Sequence, residues 1–316
     1  IIVIIVIAAG LAWYYFSAPA GEKKVIKIAA VFALTGKYAR HGRTIVDGIR
    51  YIVDVINSKG GVRGYKIELI VYDDESNPSK GAELVEKAIT KDNVLAVVGG
   101  YGTAIAVPEE EVAERLHTPY FAGGSIDIKS FQRGFKWIFR VIADSYGYAK
   151  PIADFIIHLK KDVDPSISKV FVGYTITSHA AIEQANYTIN LIKEAGLEIM
   201  SKGWESGTKD VHPIMSEVKS FNPDIVVIIH YYADTVLFVK TMMEMGVKPK
   251  ATIGSWGMAQ YEFIEEFGDA ANYFFPEILW HPSVPFPGAK EFAEGFEARY
   301  GYGIDYHAVY VAVDIV

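Results

Sequence analysis

Residues 25–42, "VIKIAAVFALTGKYARHG", decide the fold. The run 25–34 is almost continuously apolar, as expected of a strand buried on both faces in a parallel sheet. "TGKYARHG" breaks the run. A helix then begins, with Ile45, Ile49, Ile52, Val53 and Ile56 on one stripe. "SKGG" (58–61) ends it with glycines that accept the left-handed conformation of a helix terminus.

The same unit repeats outward from there. Segment 65–74 reads as a strand, 79–91 as a helix, 93–100 as a strand, 103–116 as a helix and 118–124 as a strand. The rhythm pauses at 136–148, "KWIFRVIADSYGY". It restarts with strands at 169–177, 197–204, 223–232 and 251–257, separated by helices at 179–195, 211–221 and from 233 to Met245. An extended stretch, 272–280, precedes helices at 288–299 and 305–316. This alternation predicts an α/β fold of two doubly wound parallel-sheet lobes, with helices on both faces of each sheet. The pause near 140 and the turn-rich "WHPSVPFPG" (280–288) are the expected crossings between lobes.

Composition narrows the function. The chain has 316 residues, half of them hydrophobic, and a net charge of −7 with no basic stripe, which excludes a nucleic-acid partner. It has no cysteine, which excludes disulfides, thiolate catalysis and Cys-ligated metal centres. The uncharged run 1–16, followed by "SAPAGEKK", marks residues 1–20 as a signal peptide or N-terminal membrane anchor. Either places the remainder outside the membrane, extracellular or periplasmic. The apolar, uncapped end at Val316 reads as a truncated C-terminus.

Enzyme motifs fail where their chemistry lies. Gly100-Tyr101-Gly102-Thr103-Ala104-Ile105 lacks the third glycine of a dinucleotide fingerprint and follows the third strand rather than the first. Gly36 with Gly42-Arg43-Thr44 is one residue too long for a P-loop, and Arg43 replaces its lysine. Gly254-Ser255-Trp256-Gly257 is not a nucleophile elbow. The eight histidines are scattered, no H-E-x-x-H occurs, and neither a metal nor a cofactor is expected. No catalytic residues are assigned.

Binding is the better use of these parts. Ligands of open parallel sheets bind beyond the carboxyl ends of the strands, and a hinge between two such sheets closes on a small solute. In "GGYGTAIAVPEEE" (99–111) the helix begins at Thr103, whose hydroxyl and first-turn amides suit an anion. The alternative is that Thr103 only caps its helix. Tyr38, His41, Tyr101, His179, Tyr231 and Tyr232 gather at strand ends, as a ligand wall or as packing.

"TGKYARHG" (35–42), "INSKGGVRG" (56–64), "YDDESNP" (72–78) and "FQRGFKWIFR" (131–140) follow one another along the strand–helix series. In that order they resemble the solute-binding proteins of branched-chain amino acid ABC transporters, which have the type I periplasmic binding fold. The similarity covers residues 25–316. It implies one lobe of 25–143 plus 281–316, a second of 144–280, and a third crossing beyond Val316. It implies a substrate-binding component of an ABC importer, monomeric when soluble, that captures an amino acid, carboxylate or amide and delivers it to a membrane permease. A ligand-sensing receptor ectodomain of the same fold is the alternative.

The resemblance also implies site residues. A ligand carboxylate is gripped from Gly102, Thr103, Gly124 and Ile126. The Ile126 side chain cannot donate, so Ser125 or the Asp127 amide is the expected stand-in. Further contacts come from the positions of His41, His179, Tyr231 and Tyr232. Where amino acid binders of the family place a glutamate for the ligand ammonium, this chain has Trp256. Three options follow: another acid, Asp127 or Asp234; an aromatic face for the amine; or a ligand without an amine.

Overall fold

The computed structural model describes residues 24–285 and 287–304. The segment read as a signal or anchor and the helix expected at 305–316 lie outside the described residues. Among the described residues no helix is long and apolar enough to cross a membrane.

The first sheet is built from β1 (Val25–Phe32), β2 (Lys66–Asp73), β3 (Ala96–Tyr101), β4 (Tyr120–Gly124) and β5 (Ile138–Arg140), in the order β2-β1-β3-β4-β5. Every pairing is parallel, with Ile28 of β1 beside Leu69 of β2 and Ala96 of β3. Its helices are α1 (Ala39–Ser58), α2 (Pro78–Thr90), α3 (Thr103–Arg115) and the short α4 (Ile128–Phe131). The apolar run in β1 buries Ala29, Ala30, Val31 and Phe32 completely, because helices cover both faces.

The second sheet repeats that connectivity. It contains β6 (Lys169–Thr175), β7 (Glu198–Trp204), β8 (Ile225–Ile229), β9 (Ala251–Gly254) and β10 (Phe274–Pro276), in the order β10-β9-β8-β6-β7, all parallel. Its helices are α5 (Ser145–His158), α6 (His179–Glu194), α7 (His212–Phe221), α8 (Tyr232–Glu244) and α9 (Tyr261–Phe267). In each sheet the first strand lies between the second and the third, and a ligand crevice opens where the order reverses. The last described helix, α10 (Ala289–Tyr300), packs against α1 of the first sheet. Phe292 meets Tyr51 with ring centroids 5.2 Å apart, and Arg299 pairs with Asp54 at 2.6 Å.

The structure departs from the sequence reading at the pause. Residues 145–158 form a full helix despite Pro151, which removes one ladder donor. Asp144 caps it by accepting from the Gly147 amide at 2.8 Å. The strand expected to run to residue 232 stops at Ile229, and Tyr232 already opens α8.

Local chemistry explains the motifs around β2. Asp73 accepts from the amides of Leu34 and Thr35 at 2.8 and 3.2 Å, tying the ends of β1 and β2 together. Asn77 caps α2, accepting from Ser79 and Lys80 at 2.9 and 3.2 Å, with Pro78 in the first helical position. Asn77→Ala is expected to cost about 1 kcal/mol, read as a lower thermal midpoint, while Asn77→Asp keeps most of it. Equal midpoints for all three proteins would show that the cap adds nothing.

Candidate functional site

The carboxyl ends of β3 and β4 face those of β6, β8 and β9 across a pocket. It holds about 350 Å³ of space outside the atoms, part of it open to solvent. Tyr101, Gly102, Thr103, Gly124, Ile126 and Ile142 line one side. Tyr148, Ser178, Ala180, Tyr231 and Trp256 line the other.

Gly102 sets the geometry of α3. It is the N-cap residue, with φ 89° and ψ 127°, a conformation open to glycine. A side chain there would also meet the Tyr38 ring at 3.5 Å. The first helical hydrogen bonds run from the Ile105 and Ala106 amides to the Gly102 carbonyl, at 2.9 and 3.0 Å. Thr103 is therefore the first residue inside the helix and not its cap, and no side chain caps α3. The Thr103 and Ala104 amides precede the first rung of the ladder, at the positive end of the helix dipole. The Thr103 hydroxyl bonds to no other described residue.

An arc of rings crosses the cleft. His41 stacks on Tyr101 at 4.5 Å, Tyr101 meets Tyr38 edge-on at 5.8 Å, Tyr38 meets Tyr231 at 5.6 Å, and Tyr231 meets Trp256 at 5.5 Å. Burial, and then the neighbouring Tyr38, push the Tyr231 hydroxyl far up, so it stays neutral. Trp256 is buried with φ 20°, an unusual value for a bulky residue. The Lys37 ammonium lies over this arc, 5.3 Å from the Tyr38 centroid and 5.2 Å from that of Tyr231. Buried Ile126, Ile142 and Ala180 supply aliphatic surface to the same pocket.

Not every residue expected at the site lines the pocket. Tyr101, Gly102, Thr103, Gly124, Ile126, Tyr231 and Trp256 do. Tyr38 and His41 stand behind Gly102 and Tyr101 and brace them. Ser125 is fully buried, 3.5 Å from the Ser130 hydroxyl, and does not line the pocket. The Asp127 carboxylate caps α4 through the Lys129 and Ser130 amides and meets His179 at 3.1 Å. His179 is at the exposed rim. Tyr232 lies under the Arg40 guanidinium, 4.1 Å from its centroid, beside an ion pair between Arg40 and Glu262.

The alternative acid for an amine, Asp234, is also engaged elsewhere. It accepts from the Ser206 hydroxyl and the Gly207 amide, both at 2.7 Å. Burial opposes its charge, but these bonds and His230 outweigh burial and hold its carboxyl below the usual range. Asp127, His179 and Glu183 carry the one cluster among the described residues with metal-type ligand atoms in reach. Those atoms already serve contacts between the two sheets: Glu183 accepts from the Ile128 amide and the Ser145 hydroxyl, each at 3.1 Å.

Sequence reasoning missed Ile142, Tyr148, Ser178 and Ala180. Tyr148 lies on α5, hidden by the pause. Ser178 caps α6, its hydroxyl accepting from the Ala181 amide at 3.4 Å, and serine before a helical pattern was the available signal. Glu277 was missed as well. It does not line the pocket, but accepts from Ser255, the residue before Trp256, at 2.8 Å. Ser255 in turn accepts from Gln184 at 3.1 Å.

A family model described as "Periplasmic binding protein" matches residues 25–316. The "Leu/Ile/Val-binding protein homolog 7" of Brucella abortus (strain 2308) is 28% identical over 293 residues, covering 87% of this chain and 71% of that protein. Among solved structures, the branched-chain amino acid transporter substrate binding protein of Streptococcus pneumoniae, in complex with isoleucine, superimposes with a TM-score of 0.82. It is 21% identical and covers 92% of this chain and 82% of its own. A solute binding protein of an ABC transporter from Rhodopseudomonas palustris, in complex with 3,4-dihydroxybenzoic acid, gives a TM-score of 0.79 at 20% identity, covering 92% and 78%.

Proposed function

The chain belongs to the periplasmic binding protein family, and from that premise we propose that it is the substrate-binding component of an ABC importer. It works outside the membrane, closes its two lobes on a small carboxylated solute and hands that solute to a membrane permease. The lobes are 25–143 plus 281–316 and 144–280. They act by capture alone.

One observation carries this reading. The start of α3, with an uncommitted Thr103 hydroxyl, faces a pocket whose far side comes from the second sheet. A carboxylate there meets amide and hydroxyl donors at the positive end of a helix. It is then enclosed when the second sheet swings onto it.

Thr103→Val keeps the shape and removes the hydroxyl. A hydrogen bond to a charged group contributes about 1.5–3 kcal/mol, so the dissociation constant of a carboxylate ligand should rise about 10- to 100-fold. Calorimetric titration of wild type and variant with the tightest-binding carboxylate measures it. An unchanged constant would remove the carboxylate from α3.

A further inference from the structure

We propose that the ligand is an aromatic carboxylate that carries no amine. This rests on the reading of the α3 terminus as the carboxylate site and adds the chemistry of the remainder of the ligand.

The first support is charge. None of the residues lining the pocket is an acid. Asp127, Asp234 and Glu277 stand outside the lining and hold other partners: Asp127 with α4 and His179, Asp234 with Ser206 and Gly207, and Glu277 through one oxygen with Ser255. In an α-amino acid the ammonium is one carbon from the carboxylate. With the carboxylate on Thr103, the ammonium sits beside the positive end of α3 with no carboxylate to pair with. A buried charge without a partner is strongly disfavoured.

An aromatic face could hold a cation instead, but one of the pocket's aromatic residues, Tyr231, already has the exposed Lys37 ammonium over its ring. Lys37 stands over Tyr38 and Tyr231, and it has no ion-pair partner among the described residues. A second cation on the same rings meets like charge. The helix end, Lys37 and the absence of lining acids together favour a ligand of net negative charge.

The second support is shape. Tyr101, Tyr231 and Trp256 belong to a continuous arc of rings, set edge-on or tilted to their neighbours. Ile126, Ile142 and Ala180 add aliphatic surface to the same pocket. A planar ring gains offset and edge-to-face contacts with such an arc that an aliphatic chain does not make. The Ser178 hydroxyl, on the side away from α3, gives a polar anchor for a ring substituent.

Calorimetric titration with five probes tests the proposal: benzoate, 4-hydroxybenzoate, leucine, its amine-free counterpart 4-methylpentanoate, and glycine betaine. Expected is that benzoate or 4-hydroxybenzoate binds at least tenfold tighter than leucine, and that Trp256→Ala weakens it at least tenfold. Tighter binding of leucine or glycine betaine overturns the exclusion of a cationic group and leaves the carboxylate site intact. Tighter binding of 4-methylpentanoate than of either benzoate overturns the aromatic class. Failure of every probe to bind overturns both this inference and the carboxylate reading beneath it.

Discussion

Gly42→Ala is expected to lower stability by about 3 kcal/mol or more. A Cβ on Gly42 would lie 1.9 Å from the Ala33 carbonyl oxygen and 2.7 Å from its carbon. The obstacle is backbone and cannot rotate away. It also cannot retreat, because Ala33 is buried at the end of β1 and the next two amides are tied to Asp73. Arg43 adds a further tie by donating to the Leu34 carbonyl at 3.1 Å. Relief requires α1 to lift off the sheet, carrying Tyr38 and His41 with it, so the aromatic arc is disturbed too. Urea denaturation with a fitted slope for each protein measures the loss. Arg50→Ala, on the exposed face of the same helix, should stay within about 0.5 kcal/mol of wild type. A Gly42→Ala midpoint equal to that control would mean that the approach of α1 to β1 is loose.

Glu277→Gln is expected to flatten the dependence of stability on pH by a few kcal/mol across pH 5 to 8.5. Burial pushes the Glu277 carboxyl up to about 8, and the hydrogen bond from Ser255 only partly opposes this. Unfolded, the group ionises near its ordinary value of 4.5. Between these two values the folded chain holds the proton and the unfolded chain does not. The contribution is therefore full below about 4.5 and is lost as pH rises through about 8. Glutamine cannot ionise and shows no such loss. Burial also pushes Asp74 up to about 6 and Glu109 well above its ordinary value, and both remain in the variant. The difference between the two proteins isolates Glu277. That difference should grow in favour of the variant from pH 5 to 8.5, measured by denaturation at each pH. Parallel curves would show that Glu277 ionises as freely in the folded chain as in the unfolded one.

Much of the fold was legible because its signals are local. Nearly continuous apolar runs such as 25–34 and 225–229 announce strands covered on both faces. Asn77-Pro78 announces a helix start. The helix reading missed α5, whose Gly147 and Pro151 look like a turn while Asp144 caps the helix, and it missed the short helices α4 and α9.

The site was legible in part. The glycine-rich turn pointed to Thr103, and the strand-end aromatics pointed to Tyr101 and Tyr231. Which of two neighbours at a strand end faces the cleft was not legible. Ile126 lines the pocket while Ser125 and Asp127 beside it turn away, and the difference depends on how the chain leaves β4. Adjacent side chains on an extended segment point to opposite sides, so a one-residue uncertainty in where β4 ends exchanges ligand wall for core.

The sequence by itself determined the two parallel sheets and most of the strand–helix alternation that builds them. These depend on apolar periodicity. Only the tertiary structure decided that Thr103 leaves its hydroxyl uncommitted, that Asp127 and Asp234 are engaged elsewhere, and that Tyr38, Tyr231 and Trp256 join one arc. Those facts depend on contacts between residues far apart in the chain, which no local pattern encodes.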